Sequence, residues 1–198
     1  MHLHLISTGK QTCDEFIHKV IKIHSQIDRI HLRERNWTAQ EHLDVVKRLI
    51  EIGVSSEKII INDRIDIAMA GSLKGVHLAS HSIDVSLAKD MFPQMHFGCS
   101  VHSVEEAIIQ ERKGAHYLMY GHIFETDSKA GVPPRGLEHL KQVVTSVRIP
   151  VIAIGGIKPS FVEQISQTGA SGIAVLSGIL LAEDSKRAVE LYRKKIDK

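Results

Sequence analysis

Eight times along this chain a short, mostly apolar run is followed by a segment with helical spacing, and no other feature limits the fold as strongly. The runs begin at Leu3, Arg29, Lys58, Gly75, His96, Tyr117, Pro150 and Gly172. Runs that are apolar throughout suit strands covered on both faces; Arg29 to Arg33 alternates instead. Between them, Asp14 to His24 carries apolar residues at a helical period, and Val85 to Phe92, Leu137 to Val147 and Glu183 to Lys195 read as further helices. Thr38 with Glu41, and Ser103 with Glu106, write two capping boxes. Strict alternation with short connections predicts a parallel sheet wrapped by helices. Eight units predict closure into one α/β domain, a (β/α)8 TIM barrel over residues 1–198, near the small end for that fold. An open doubly wound sheet lacks its marker, since no Gly-x-Gly-x-x-Gly follows the first run.

Composition removes several classes of function. A net charge of +2 without a long Lys/Arg run argues against nucleic acid and against an anionic membrane surface. No apolar run approaches the ~18 residues of a membrane span, and no secretory segment follows Met1, so no membrane partner and a cytoplasmic location are expected. Two cysteines, Cys13 and Cys99, make no disulfide framework.

In a barrel the chemistry sits at the C-terminal strand ends. The stretch from Tyr117 to Lys129 carries the densest signal: an apolar strand, Gly121 to release the backbone, then His122, Glu125, Thr126, Asp127, Ser128 and Lys129. Arg33, Arg35, Asn62, Asp63, Ser100 and His102 fall at other strand ends. Gly155-Gly156 after the seventh strand and Ser177-Gly178 after the eighth predict a phosphate site, because glycines let backbone N–H groups approach an anion. His31, Arg33 and Arg35 are spaced by two, so they share a face, and two guanidiniums there suit an anion. His2 and His4 resemble a metal pair, but the eighth strand ends without an acid, so no metal is expected. His77, His96 and His116 read as packing or rim histidines; His102 and His122 are the titratable candidates.

Seven short segments in order resemble the thiamin phosphate synthase superfamily: His31-Leu32-Arg33-Glu34-Arg35, Ile60-Ile61-Asn62-Asp63-Arg64, Gly75-Val76-His77-Leu78, Gly98-Cys99-Ser100-Val101-His102-Ser103, Gly121-His122-Ile123-Phe124-Glu125-Thr126, Ile154-Gly155-Gly156-Ile157 and Gly172 to Ser177. Within it the chain looks most like the thiazole tautomerases (TenI-type). Synthases usually carry Gly-Gln-Glu-Asp, whose Asp helps hold magnesium, where this chain has Ala79-Ser80-His81-Ser82. They usually have lysine where Arg35 stands, and Gly-Pro where Gly121-His122 stands. These departures imply a cofactor-independent isomerase of thiamin biosynthesis, which moves a proton to make the thiazole phosphate carboxylate aromatic. His122 would be its acid/base, supported by His102. The resemblance further implies that Gly155, Gly156, Leu176 and Ser177 hold the phosphate. Thr126, Asp127 and Ser128 match the family segment that contacts the thiazole, and Arg33, Arg35, Asn62 or Lys129 would meet the carboxylate. The expected partner is a small-molecule thiazole phosphate, with a homo-oligomer left open. The alternatives are a thiamin phosphate synthase, and a non-catalytic ligand-binding barrel.

Overall fold

The structure is a computed structural model and describes residues 1–197. Eight parallel strands close into a barrel in sequence order. They are β1 (His2–Ile6), β2 (Arg29–Leu32), β3 (Ile59–Asn62), β4 (Gly75–Leu78), β5 (His96–Val101), β6 (Tyr117–Gly121), β7 (Val151–Ile154) and β8 (Gly172–Val175). Closure is made by β8 pairing with β1, His2 opposite Gly172 and Leu5 opposite Val175. Around them run α1 (Cys13–Val20), α2 (Ala39–Glu51), α3 (Ile65–Ala70), α4 (Val85–Met91), α5 (Val104–Arg112), α6 (Gly136–Ser146), α7 (Val162–Ser166), α8 (Ser177–Leu180) and α9 (Ser185–Ile196). The eightfold alternation therefore folds as expected.

Local signals set the helix starts. Thr38 accepts from the Glu41 N–H and donates its own N–H to the Glu41 carboxylate, a complete capping box. Thr12 and Glu15 make a second, which the sequence reading passed over. Ser103 makes only half of one. It accepts from the Glu106 N–H, but the Glu106 carboxylate takes the His102 N–H at 2.7 Å instead of that of Ser103.

Alternation along each strand sorts the side chains into two cores. Leu3, Leu5, Ile30 and Leu32 face outward and are fully buried under helix residues such as Phe16, Val45 and Leu49. Burying each large side chain stabilises the shell by roughly 1.5–3 kcal/mol. Inside the barrel, Ile6, Met119, Ile152 and Ala174 form a separate small cluster. The interior beside β1, β2 and β4 is polar, filled by the buried rings of His4, His31 and His77. At the N-terminal end, Asp28 accepts from the Leu3 N–H and from the Arg193 guanidinium, which clasps α9 to the barrel floor.

Candidate active site

A cavity of about 730 Å³ opens at the C-terminal end of the strands. That volume suits a cofactor-sized or paired small-molecule ligand. Its floor is Ile6, Met119, Ile154 and Ala174, and polar groups from every other side rise around it.

The end of the cavity at β7 and β8 is built by backbone contact. Gly155 and Gly156 have φ of +97° and +66°. A Cβ on Gly156 would lie 2.3 Å from the Glu125 carbonyl oxygen, and one on Gly155 would lie 2.3 Å from His122 Cβ. Only glycine fits a left-handed backbone pressed this closely against another loop. The Phe124 N–H donates to the Gly155 carbonyl at 3.1 Å, and Phe124 stacks on Phe161 with ring centroids 4.2 Å apart. Across the cavity Ser177 and Gly178 open α8, where first-turn N–H groups lack helical partners. Lys158 joins this wall; nothing in its spacing marks it in the sequence.

The β6 loop is cross-braced. The Gly121–His122 peptide is cis. Gly121's carbonyl accepts from Arg135 Nε at 3.0 Å and from His102 Nδ1 at 3.1 Å. His122 Nε2 donates to the Val132 carbonyl at 3.1 Å. Because a carbonyl only accepts, both tautomers follow: His122 carries its hydrogen on Nε2 and His102 on Nδ1. Thr126, Asp127, Ser128 and Lys129 form the next part of the cavity wall, with Asp127–Lys129 in a 3-10 turn.

On the β2–β5 side, Arg33, Asn62, His77 and Ser100 reach the cavity. Arg33 is placed where expected, but Arg35 is exposed and outside the cavity wall. The reason is local: β2 ends at Leu32, so the two-residue period stops there. Glu34 then turns inward, buried, to accept the Gly9 N–H at 3.0 Å. His77 is packed in the interior and borders the cavity, as a packing or rim histidine would be, and it also carries two hydrogen bonds. It bonds Tyr117 Oη at 3.1 Å and Ser100 Oγ at 2.9 Å. Burial holds its pKa down to about 4, so the ring is neutral. His96 and His116 do pair at the other end of the barrel, with centroids 4.9 Å apart. His2 and His4 gather no further ligand, and His4 Nδ1 instead meets His31 Nε2 at 2.9 Å.

Asp63 follows β3 with φ 64°. Its Oδ1 accepts from the Ser82 hydroxyl and from the Ala79 N–H, and its Oδ2 lies 3.5 Å from His81 Nε2. Among the described residues no three His, Cys, Asp or Glu side chains are grouped to hold a metal ion. One carboxylate with an oxygen already taken by two donors does not build a magnesium site, so the residues present do not fit that ion.

A closed parallel barrel with two close-packed glycines after β7 defines the (β/α)8 class, and its cavity lies at the strand C-termini, the end where that fold carries its sites. The family described as thiamine monophosphate synthase matches residues 3–179, and the chain belongs to it. Thiamine-phosphate synthase of Pyrococcus furiosus is 37% identical over 169 residues, covering 85% of this chain and 82% of its own. Thiamine-phosphate synthase 2 of Streptococcus pneumoniae is 31% identical over 200 residues, covering 99% and 95%. The solved thiamine phosphate pyrophosphorylase from Pyrococcus furiosus superposes with a TM-score of 0.84 at 32% identity, covering 99% of this chain and 95% of that one. A 3-hexulose-6-phosphate synthase shares the fold at a TM-score of 0.79, with 15% identity.

These relatives overturn the tautomerase expectation: they carry the name of a transferase, not of an isomerase. The structure shows what stands at two of the substituted positions. Ser82 keeps a hydrogen bond to Asp63, so the missing carboxylate leaves that strand end held in place. His122 donates its Nε2–H to the Val132 carbonyl, which leaves Nδ1 as the nitrogen with a free lone pair. No helix is long and apolar enough to cross a membrane among the described residues.

Proposed function

We propose that this chain joins a pyrimidine pyrophosphate to a thiazole phosphate, forming thiamine phosphate and releasing pyrophosphate. The observation that carries the reading is a single cavity with two anion-suited ends. One is the Gly155-Gly156 and Ser177 cradle, and the other is the Arg33 side. Two phosphorylated substrates need two such ends, set so that their reacting atoms meet over the apolar floor.

The thiazole phosphate sits with its phosphate on the N–H groups of the β7 and β8 loops. The pyrimidine pyrophosphate lies toward β2–β5, with Arg33 and Lys129 meeting its oxygens. A carbon–nitrogen bond forms between the pyrimidine's methylene carbon and the thiazole ring nitrogen. The carbon–oxygen bond breaks, and its electron pair leaves on the pyrophosphate. Positive side chains that oppose charge building on that leaving group lower the barrier. Gly155, Gly156, Leu176 and Ser177 take the phosphate role here, and Thr126, Asp127 and Ser128 border the thiazole. His122 and His102 brace the β6 loop through carbonyl hydrogen bonds.

The test is incubation of the purified chain with both substrates, following pyrophosphate release and thiamine phosphate by mass spectrometry. Stoichiometric appearance of both is expected. Neither product after many enzyme equivalents of time and substrate would reject the reading.

A further inference from the structure

The polar half of the barrel interior is not used by the reaction just described. It consists of two short hydrogen-bonded arms, each ending at the cavity. In the first, His4 Nδ1 meets His31 Nε2 at 2.9 Å, and the other side of the His31 ring faces Asn62. Among the described residues, His31 Nδ1 and Asn62 Oδ1 are the two buried side-chain polar atoms with no close partner. The Asn62 side chain nonetheless stands close enough to His31 to favour its protonated form. A contact short of full hydrogen-bond geometry, as this one is, is attractive only when one facing atom is a donor and the other an acceptor. Oδ1 can only accept, so His31 carries its hydrogen on Nδ1. Its Nε2 is then the acceptor for His4 Nδ1–H. The Asn62 amide, with its oxygen turned inward, presents its NH2 to the cavity that it lines.

In the second arm, His77 Nδ1 faces Tyr117 Oη and His77 Nε2 faces Ser100 Oγ. Gly98 makes the space for this arm, since a Cβ there would lie 1.9 Å from the Tyr117 ring. Burial raises the Tyr117 pKa, so the phenol keeps its hydrogen. Tyr117 Oη has no other hydrogen-bond partner among the described residues, so that hydrogen goes to His77 Nδ1. His77 therefore carries its own on Nε2 and donates to Ser100 Oγ. The Ser100 hydrogen is left to point into the cavity.

We infer that the two arms are tautomer locks, which set the β3–β5 side of the cavity as a pair of hydrogen-bond donors, Asn62 NH2 and Ser100 O–H, and so select a ligand ring that offers lone pairs there. His4, His31, His77 and Tyr117 are positioning residues on this account. The rings pack on one another, His31 and His77 lying 5.6 Å apart edge to face, and of them only His77 also borders the cavity. Neighbouring imidazoles in one interior are thus held in opposite tautomers. A merely packed pair has no reason to be.

The experiment is a long-range 1H–15N spectrum of the 15N-histidine-labelled full chain at pH 7.5. His31→Gln and His77→Gln assign the two residues by loss of their signals. His31 is expected protonated at Nδ1 and His77 at Nε2. The reverse at either residue overturns the inference. Tyr117→Phe removes the donor to His77 Nδ1, so the His77 nitrogens should shift toward a tautomer mixture while those of His31 stay; no movement at His77 also overturns it. A second arm rests on the synthase reading: Tyr117→Phe should raise KM for the pyrimidine pyrophosphate about tenfold with kcat within about threefold. An unchanged KM rejects the role in ligand selection. Absence of any turnover in the unsubstituted chain rejects the synthase reading instead, and the spectra still decide on the locks.

Discussion

Three neutral imidazoles locked inside a barrel should make this protein acid-labile well above the range where carboxylates titrate. Burial holds His4 at about 3 and His77 at about 4, against an ordinary 6.5, and holds His31 well below its ordinary value. Their folded pKa values are depressed, so the unfolded chain binds more protons once the pH drops below about 6.5. Stability is therefore untouched above that pH, and falls as pH drops from there toward the folded values. The loss accrues at about 1.4 kcal/mol per pH unit for each histidine. By pH 5 that is roughly 2 kcal/mol for His77 and a similar amount for His4, about 4 kcal/mol together. His31 adds in the same direction, and because it bonds His4 the two titrate as a pair. Asp28, Asp66 and Asp84 have lowered pKa values, so their losses come below the ordinary carboxylate range and leave pH 5 to 6.5 to the histidines. Urea unfolding at pH 7.5, 6.0 and 5.0 reads the free energy directly. A fall of about 4 kcal/mol or more between the outer two is expected, and removing one titrating ring with His77→Gln should flatten that fall by roughly 2 kcal/mol. A stability that stays level from pH 7.5 to 5.0 would refute the assignment of buried, neutral rings.

Other consequences follow from single contacts. Gly156→Ala puts a Cβ 2.3 Å from the Glu125 carbonyl at a φ of +66°, so it should weaken inorganic phosphate binding at least about tenfold by calorimetry and cost roughly 1–3 kcal/mol of stability. Arg33→Ala should lower kcat/KM on the order of a hundredfold, against less than about threefold for Arg35→Ala, which lies outside the cavity; equal losses would restore the two-arginine reading. Ser82→Asp sets a second carboxylate beside Asp63, so thermal melting should drop without magnesium and recover with millimolar magnesium, whereas a metal-independent drop would mean no cation site had formed.

The chain's own order determined most of the architecture. Eight apolar runs separated by amphipathic segments leave a parallel barrel as the arrangement that buries every run on both faces, and Thr38 with Glu41 fixes a helix start within four residues of sequence. Gly155 and Gly156 were legible as a turn after the seventh strand, but their close approach to His122 and Glu125 is a tertiary contact that the sequence does not write. Arg35 was misplaced because a two-residue period holds only while a strand lasts, and pairing with neighbouring strands ended β2 at Leu32. Capping at Ser103 was half misread because the Glu106 carboxylate had two N–H groups within reach, and only three-dimensional geometry chose that of His102. Nothing in the chain tells that Val132, ten residues on, folds back to take the Nε2–H of His122 and so leaves Nδ1 as its acceptor nitrogen. The histidine arms lay furthest from view. His4, His31, His77 and Tyr117 come from four strands spread over more than half the chain, and each alone is an ordinary residue of a buried strand. Barrel closure brings them to hydrogen-bonding distance, and the low dielectric there makes one unpaired hydrogen costly enough to dictate where all the others go.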